Sequence, residues 1–254
     1  MNKKSVQLFG ILNVTPDSFS DGGKFFSKEK ALKQAEFLFA NGADVVDVGG
    51  ESTRPGAEEV SIEEEWRRVG EVLQELIKKY GADKISLDTQ KPEIAKRFLD
   101  IGGKILNDVS GFSKIGMKKI AAKFDKIIVA YFFTQEEMNG RKIDDIELVI
   151  KKLLKRKQEL IEFGVSPEKI ILDPGIGVDK TVELNFQLLK IASLLPKEQV
   201  FIAHSRKRFL GSKRFEVEPN LTAAKTAIKS GAKFLRVHDP ENYKELVKKY
   251  KKTS

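Results

Sequence analysis

Eight times along this chain an apolar, β-branched run gives way to a segment with helical patterning, and seven of the eight end near a polar residue. The runs span 8–14, 43–49, 84–89, 104–110, 126–132, 169–175, 199–204 and 234–239. Helical segments follow at 28–42, 61–80, 91–101, 116–124, 143–163, 181–195, 220–230 and 241–250. A helix-length crossover returns the chain to the same end of a sheet, so strands joined in this way run parallel. Eight such units in 254 residues predict an α/β fold of the (β/α)8 TIM-barrel type, a single domain over residues 1–254. In that fold the carboxyl ends of all eight strands surround one mouth. Asn13, Asp47, Asp88, Asn107, Asp173, His204 and Arg236, at the ends of seven runs, are therefore expected to converge; the fifth run lacks an obvious polar group.

Composition narrows the function. Hydrophobic residues make up 41% and charged residues 33%, as in a globular chain able to bury a core. No run of roughly 18 apolar residues is available to span a bilayer, and the short apolar stretch near the start, running into Asp and Ser, is not expected to be a secretory signal. The expectation is a cytoplasmic protein without a membrane partner. The absence of cysteine excludes disulfides, thiol catalysis and Cys-rich metal sites. The net charge of +9 is spread as lysines along helical segments such as 151–157 and 244–252, without interleaved aromatics or a nucleic-acid motif. It reads as solvated surface that attracts a phosphorylated small molecule, with no nucleic-acid partner; RNA binding ranks low.

Two connections are longer than a barrel needs. Residues 14–27 and 49–60 are rich in Gly, Pro, Ser and Asp and read as lids over the catalytic face. Asn13 at the rim can meet a metal or a phosphate oxygen, and Arg54 can clamp a phosphate bidentately. Asp88 and Asn107 end neighbouring strands, Asp173 ends the sixth, and Lys207 and Arg236 lie across the mouth. Carboxylates, an amide and an ammonium suit the edge of a flat heterocycle bearing an amide and an amino group.

These strings, in this order, resemble the dihydropteroate synthase family of folate biosynthesis. The resemblance is carried by GILNVTPDSFSDGG (10–23), GADVVDVGGESTRPGA (42–57), ISLDTQKPEIA (85–95), ILNDVSG (105–111), ILDPGIG (171–177), SRKRFLG (205–211) and RVHD (236–239). It implies a transferase that joins 4-aminobenzoate to 6-hydroxymethyl-7,8-dihydropterin diphosphate, releasing diphosphate and 7,8-dihydropteroate. It also implies residue roles. Asp88, Asn107, Asp173 and Lys207 would hold the pterin, with Arg236 stacked on it. Asn13 would meet the diphosphate together with Mg²⁺, while Arg54 and His238 neutralise its charge. Asp88, Lys207, Arg54 and Asn13 are thus the catalytic candidates, and Phe19, Thr53 and Pro55 would enclose the aminobenzoate ring. A homodimer is expected, as is common in the family.

Four departures lie near the site. Tyr131-Phe132-Phe133 stands where the family usually has a Met-His pair, either as pocket wall or as core. Val178-Asp179-Lys180 replaces the usual Phe-Gly-Lys, which removes an aromatic and adds an acid. Arg208 takes the place of a serine that usually contacts the aminobenzoate carboxylate, and can hold that group by charge pairing. Residues 212–222 lack the usual glycine-containing lead into the seventh helix. Two alternatives stay open: a pterin-binding methyltransferase domain, and a catalytically silent pterin-binding homologue.

Overall fold

The computed structural model of the chain describes residues 6–15, 28–51 and 59–251. Eight parallel strands close a barrel in chain order: β1 Gln7–Asn13, β2 Val45–Gly49, β3 Ile85–Asp88, β4 Ile105–Asp108, β5 Lys126–Ala130, β6 Ile170–Asp173, β7 Gln199–Ile202 and β8 Phe234–Val237. Every residue of β2, β3, β4 and β6 is buried. That is why these runs are continuously apolar in sequence rather than alternating: helices cover one face and the barrel interior takes the other.

Ten helices complete the described fold: α1 Lys28–Ala40, α2 Ile62–Tyr80, α3 Pro92–Asp100, α4 Ile115–Ala121, α5 Gln135–Met138, α6 Ile146–Glu162, α7 Val182–Leu188, α8 Ile191–Leu194, α9 Val217–Ser230 and α10 Lys244–Lys251. α2 starts as its sequence foretells, with Ser61 Oγ accepting the Glu64 N–H at 3.2 Å above three first-turn acids. It buries Val69, Val72, Leu73 and Leu76, a stripe of helical period, against the sheet. Several helices differ from expectation: α4 stops at Ala121 rather than 124, α10 starts at Lys244 rather than 241, and three more shift or divide. The fifth begins not at 143 but after Asp145, whose carboxylate caps the Glu147 and Leu148 N–H groups, and a short α5 precedes it. The helix expected over 181–195 breaks into α7 and α8 at Leu189-Lys190, without a Gly or Pro to signal it. α9 starts at Val217 rather than 220, with Pro219 in its first turn, where the missing N–H has no helical partner to lose.

Inside the barrel Phe9, Val45, Ile105, Ile128, Ile171, Phe201 and Phe234 form their own packed layer, separate from the larger core under the helices. Phe9 meets Phe201 and Phe234 edge-on, with ring centroids 5.1 and 6.1 Å apart.

A buried charge knot ties β2, α2 and α3 together. Lys91 Nζ lies 2.9 Å from Glu51 and 2.7 Å from Glu65, and Thr89 Oγ1 donates to Glu65 at 2.7 Å. Glu51 also accepts the Val60 N–H at 2.8 Å. Burial works against its charge, but Val60 and Lys91 outweigh that and hold its carboxyl below the usual range. Lys91→Met leaves two buried carboxylates without a cation and is expected to lower the unfolding free energy by about 3 kcal/mol in chemical denaturation.

Candidate active site

Along a strand, residues two apart share a face. Because Val45, Ile105, Ile171 and Phe234 point into the barrel, so do Asp47, Asn107, Asp173 and Arg236, one step nearer the mouth. Asn13 follows from Phe9 by two such steps. Register sets the rim residues side by side: Asn13 with Gly49, Gly49 with Asp88, and Asp88 with Asn107.

Arg236 is the centre of the cup. Its Nε donates to Asp47 Oδ2 at 2.6 Å and its Nη2 to Asp88 Oδ2 at 2.8 Å. Asp47 Oδ2 also accepts the Asn107 amide at 3.0 Å. Burial disfavours the guanidinium charge, yet Asp47 and Asp88 more than compensate and raise its proton affinity. These in-plane bonds fix the guanidinium plane and leave its face for stacking on a flat ring. Asp47 Oδ1 and Asp88 Oδ1 are buried and have no hydrogen-bond partner among the described residues. Buried acceptors without partners are costly, and in a cup they suit the N–H donors of a ligand.

Burial pushes the Asp88 carboxyl up to about 7; Arg236 opposes this, while Asp47, Asp108 and Glu65 add to it. Protonation of Asp88 below this raised value removes a negative charge from the cup. A reaction that relies on that charge is expected to show a kcat/KM that climbs with pH along a limb centred near pH 7. Asp88→Asn should erase that limb; a parent profile flat between pH 6 and 8 would refute the assignment.

Asp173 and Lys207 form the other wall. Burial raises the Asp173 carboxyl, while the Gly175 N–H at 2.8 Å and the Lys207 and Lys180 charges pull it back. Burial lowers the Lys207 ammonium, and Asp173 is its main support. Gly175, with φ +66°, has no room for a side chain: a Cβ there would meet the Phe132 ring at 2.8 Å. At Gly177 a Cβ would lie 2.8 Å from Lys207 Cδ, so the lysine stem packs directly on that backbone.

At the rim, Asn13 Oδ1 is 3.9 Å from where a Cβ on Gly49 would stand. No group of three His, Cys, Asp or Glu side chains is gathered as a metal cage among the described residues. His238 Nδ1 is 3.0 Å from Ser205 Oγ, and Arg206 forms a forked pair with Asp239 at 2.6 to 3.2 Å. Arg208 is exposed, at the start of a single 3₁₀ turn one residue beyond Lys207.

Asp88, Asn107, Asp173, Lys207 and Arg236 are thus brought into one cup, with Asn13 and His238 on its rim. Phe19, Thr53, Arg54 and Pro55 lie outside the described residues, as do most of the two long connections. His204 does not join the cup. It is fully buried, its ring 3.3 Å from the Tyr243 hydroxyl, and burial lowers its pKa to about 4. Asp47, a strand-end acid with no role assigned from sequence, is the residue that orients both Arg236 and Asn107. Its signal was parity: it shares a face with Val45 and Gly49.

A family model described as pterin binding enzyme matches residues 9–238. The chain is 37% identical to the dihydropteroate synthase of Bacillus subtilis (strain 168), over 97% of this chain and 88% of that protein. The chain belongs to the dihydropteroate synthase family of pterin-binding enzymes. Among solved structures, Xanthomonas albilineans dihydropteroate synthase with 4-aminobenzoic acid superposes with a TM-score of 0.88 at 31% identity, covering 99% of this chain and 94% of that one. The same enzyme in complex with 7,8-dihydropteroate gives 0.85 at 28% identity, over 100% and 95%. The family's synthases are transferases of folate biosynthesis, and this chain takes its place among them. No described helix is long and apolar enough to cross a membrane.

The aromatic departure after β5 now has its place. Tyr131 and Phe133 are core residues, with Tyr131 Oη donating to Glu137 at 2.9 Å. Phe132 alone leans over Gly175 at the rim.

Proposed function

We propose that this synthase joins 4-aminobenzoate to 6-hydroxymethyl-7,8-dihydropterin diphosphate with the residues of the barrel mouth in the roles that follow. The observation that carries the reading is the Asp47–Arg236–Asp88 bridge beside Asn107, Asp173 and Lys207. Three acids and two bases leave an excess of acceptors, matched to the amino and amide N–H groups of a pterin edge. Asp88 and Asp173 accept from that edge, Asn107 and Lys207 donate to its acceptors, and the Arg236 plane covers one face.

The bond between the pterin methylene and the diphosphate oxygen breaks, and its electron pair leaves with diphosphate. The carbon left behind is cationic and conjugated with the pterin; ionised Asp88 stabilises it. The arylamine lone pair closes the new C–N bond and the nitrogen sheds one proton. A neutral arylamine needs positioning and dryness more than a base, so no covalent enzyme intermediate forms. His238 at the rim, with Arg54, balances the departing charge. Exposed Arg208, next to Lys207, is the group assigned to the aminobenzoate carboxylate.

Mg²⁺ fits this site as an ion carried largely by the substrate. Asn13 offers one oxygen, and a hard cation that keeps most of its waters needs only that plus phosphate oxygens. When bound, it shares the negative charge of the diphosphate.

A cytoplasmic homodimer completes the reading. An apolar groove on the outer face, lined by Phe186, Leu189, Leu194, Leu210, Pro219 and Ala223, supports the association of two copies. Phe186 and Leu194 there are 48% and 54% exposed. Sedimentation would check the oligomeric state.

The test is diphosphate release from pterin diphosphate and Mg²⁺, with and without 4-aminobenzoate. Arylamine-dependent release that stops with a chelator supports the proposal. Pterin binding without turnover would favour the silent homologue, and turnover independent of arylamine would rule out the synthase.

A further inference from the structure

We propose that Asp179 and Lys180 are positioning residues: their buried ion pair fastens the loop after β6 to the loop after β5, and so holds Asp173 and Lys207 in register for the pterin ring. The proposal rests on the pterin-binding role assigned to those two residues above.

The Asp179 carboxylate is buried and does two jobs. One oxygen accepts the backbone N–H of Phe133, and the other is paired with Lys180 Nζ. Lys180 is buried as well, and its ammonium donates to Gly175 O at 3.0 Å and Tyr131 O at 3.4 Å. It stands 5.3 and 5.7 Å from the centres of the Phe133 and Phe132 rings. Backbone bonds add a second tie, with Ile143 N donating to Asp179 O at 3.0 Å and Thr181 N to Ile143 O at 2.9 Å. Residues 131–133 and 173–180 are therefore one unit with a charged centre.

That unit reaches the cup at two points. Gly175, whose carbonyl Lys180 grips, presents its N–H to Asp173 Oδ1. Gly177, between the same anchors, carries the Lys207 stem on its backbone and is held from behind by Asn185 at 2.6 Å. A shift of the 175–177 backbone would displace an acid and a base on the same wall together. Lys180 also adds a positive charge near Asp173, which favours the ionised carboxylate. The aromatic run after β5 and the acid after Gly177 thus act on each other: Asp179 is the acceptor for the turn that places Phe132 over Gly175.

The test compares the parent with Asp179→Asn, Lys180→Met and the double variant. Asparagine keeps an acceptor for Phe133 N–H but removes the charge. Binding of 6-hydroxymethylpterin is measured by titration calorimetry, steady-state constants are measured for both substrates, and thermal midpoints are recorded. Each single change should weaken pterin about tenfold and raise KM for pterin diphosphate in parallel, with KM for 4-aminobenzoate within about twofold. The double variant should be no weaker than the worse single, as for groups that act as a unit. Lys118→Met, which breaks the 2.6 Å pair with Glu159 on the outer helices, should lower the midpoint without touching pterin affinity. Pterin affinity within about twofold of the parent in Asp179→Asn, assayed below its midpoint, would overturn the proposal even if Lys180→Met failed to fold. A parent that binds no pterin would instead sink the functional reading beneath it.

Discussion

Asp88→Ala is expected to lower kcat/KM for arylamine-dependent diphosphate release by roughly a thousandfold, the scale of losing a preorganised charge at a developing ion. The effect has two parts. The cationic carbon loses its counter-charge, and Arg236 loses the 2.8 Å bond that fixes one edge of its guanidinium. Asp88→Asn separates them, because an amide still offers an oxygen to Arg236 but no charge to the carbon. If both variants fall equally, charge dominates; if asparagine recovers most of the rate, orientation of Arg236 does. Near-normal kcat/KM in the alanine variant would remove Asp88 from the chemistry.

The second large effect is expected at Asp47, which touches no reacting atom in this scheme. Asp47→Ala strips Arg236 of one of two anionic partners and leaves the Asn107 amide without its 3.0 Å acceptor. Truncating one member of a buried ion pair costs about 3 kcal/mol, which for a chain of this size corresponds to a fall in Tm of roughly 6–12 °C. Pterin affinity should fall with it, since the stacking face and the amide both lose their orientation. Calorimetric melting and 6-hydroxymethylpterin titration check the two halves. An unchanged Tm would mean that Arg236 re-pairs fully with Asp88 alone.

Both predictions concern contacts between residues far apart in sequence, and this marks where sequence reading stops. The barrel was legible because each unit is local: a β-branched run, a polar end, a helix. The cup was legible for the same reason, since Asn13, Asp88, Asn107, Asp173 and Arg236 each terminate or nearly terminate such a run. What sequence does not display is who neutralises whom. Asp47 and Arg236 are 189 positions apart and meet only because β8 closes on β1. Lys91 looks like a surface lysine before a proline, yet it is the cation of a buried knot. His204 sits at a strand end like the others, but its neighbours seal it from the mouth. The helix break at Leu189-Lys190 carries no Gly or Pro, so local propensity could not announce it.

The aromatic and aliphatic layer beneath the cup sets a limit on what can occupy it. Phe9, Phe201 and Phe234 stopper the barrel directly under the charged wall, so the floor cannot recede without unpacking rings that also brace β1, β7 and β8. An inhibitor built on a bicyclic head therefore gains nothing by extending downward. Added bulk has one way to go, outward past Asn13 and His238, into the space proposed for the departing diphosphate and the incoming arylamine.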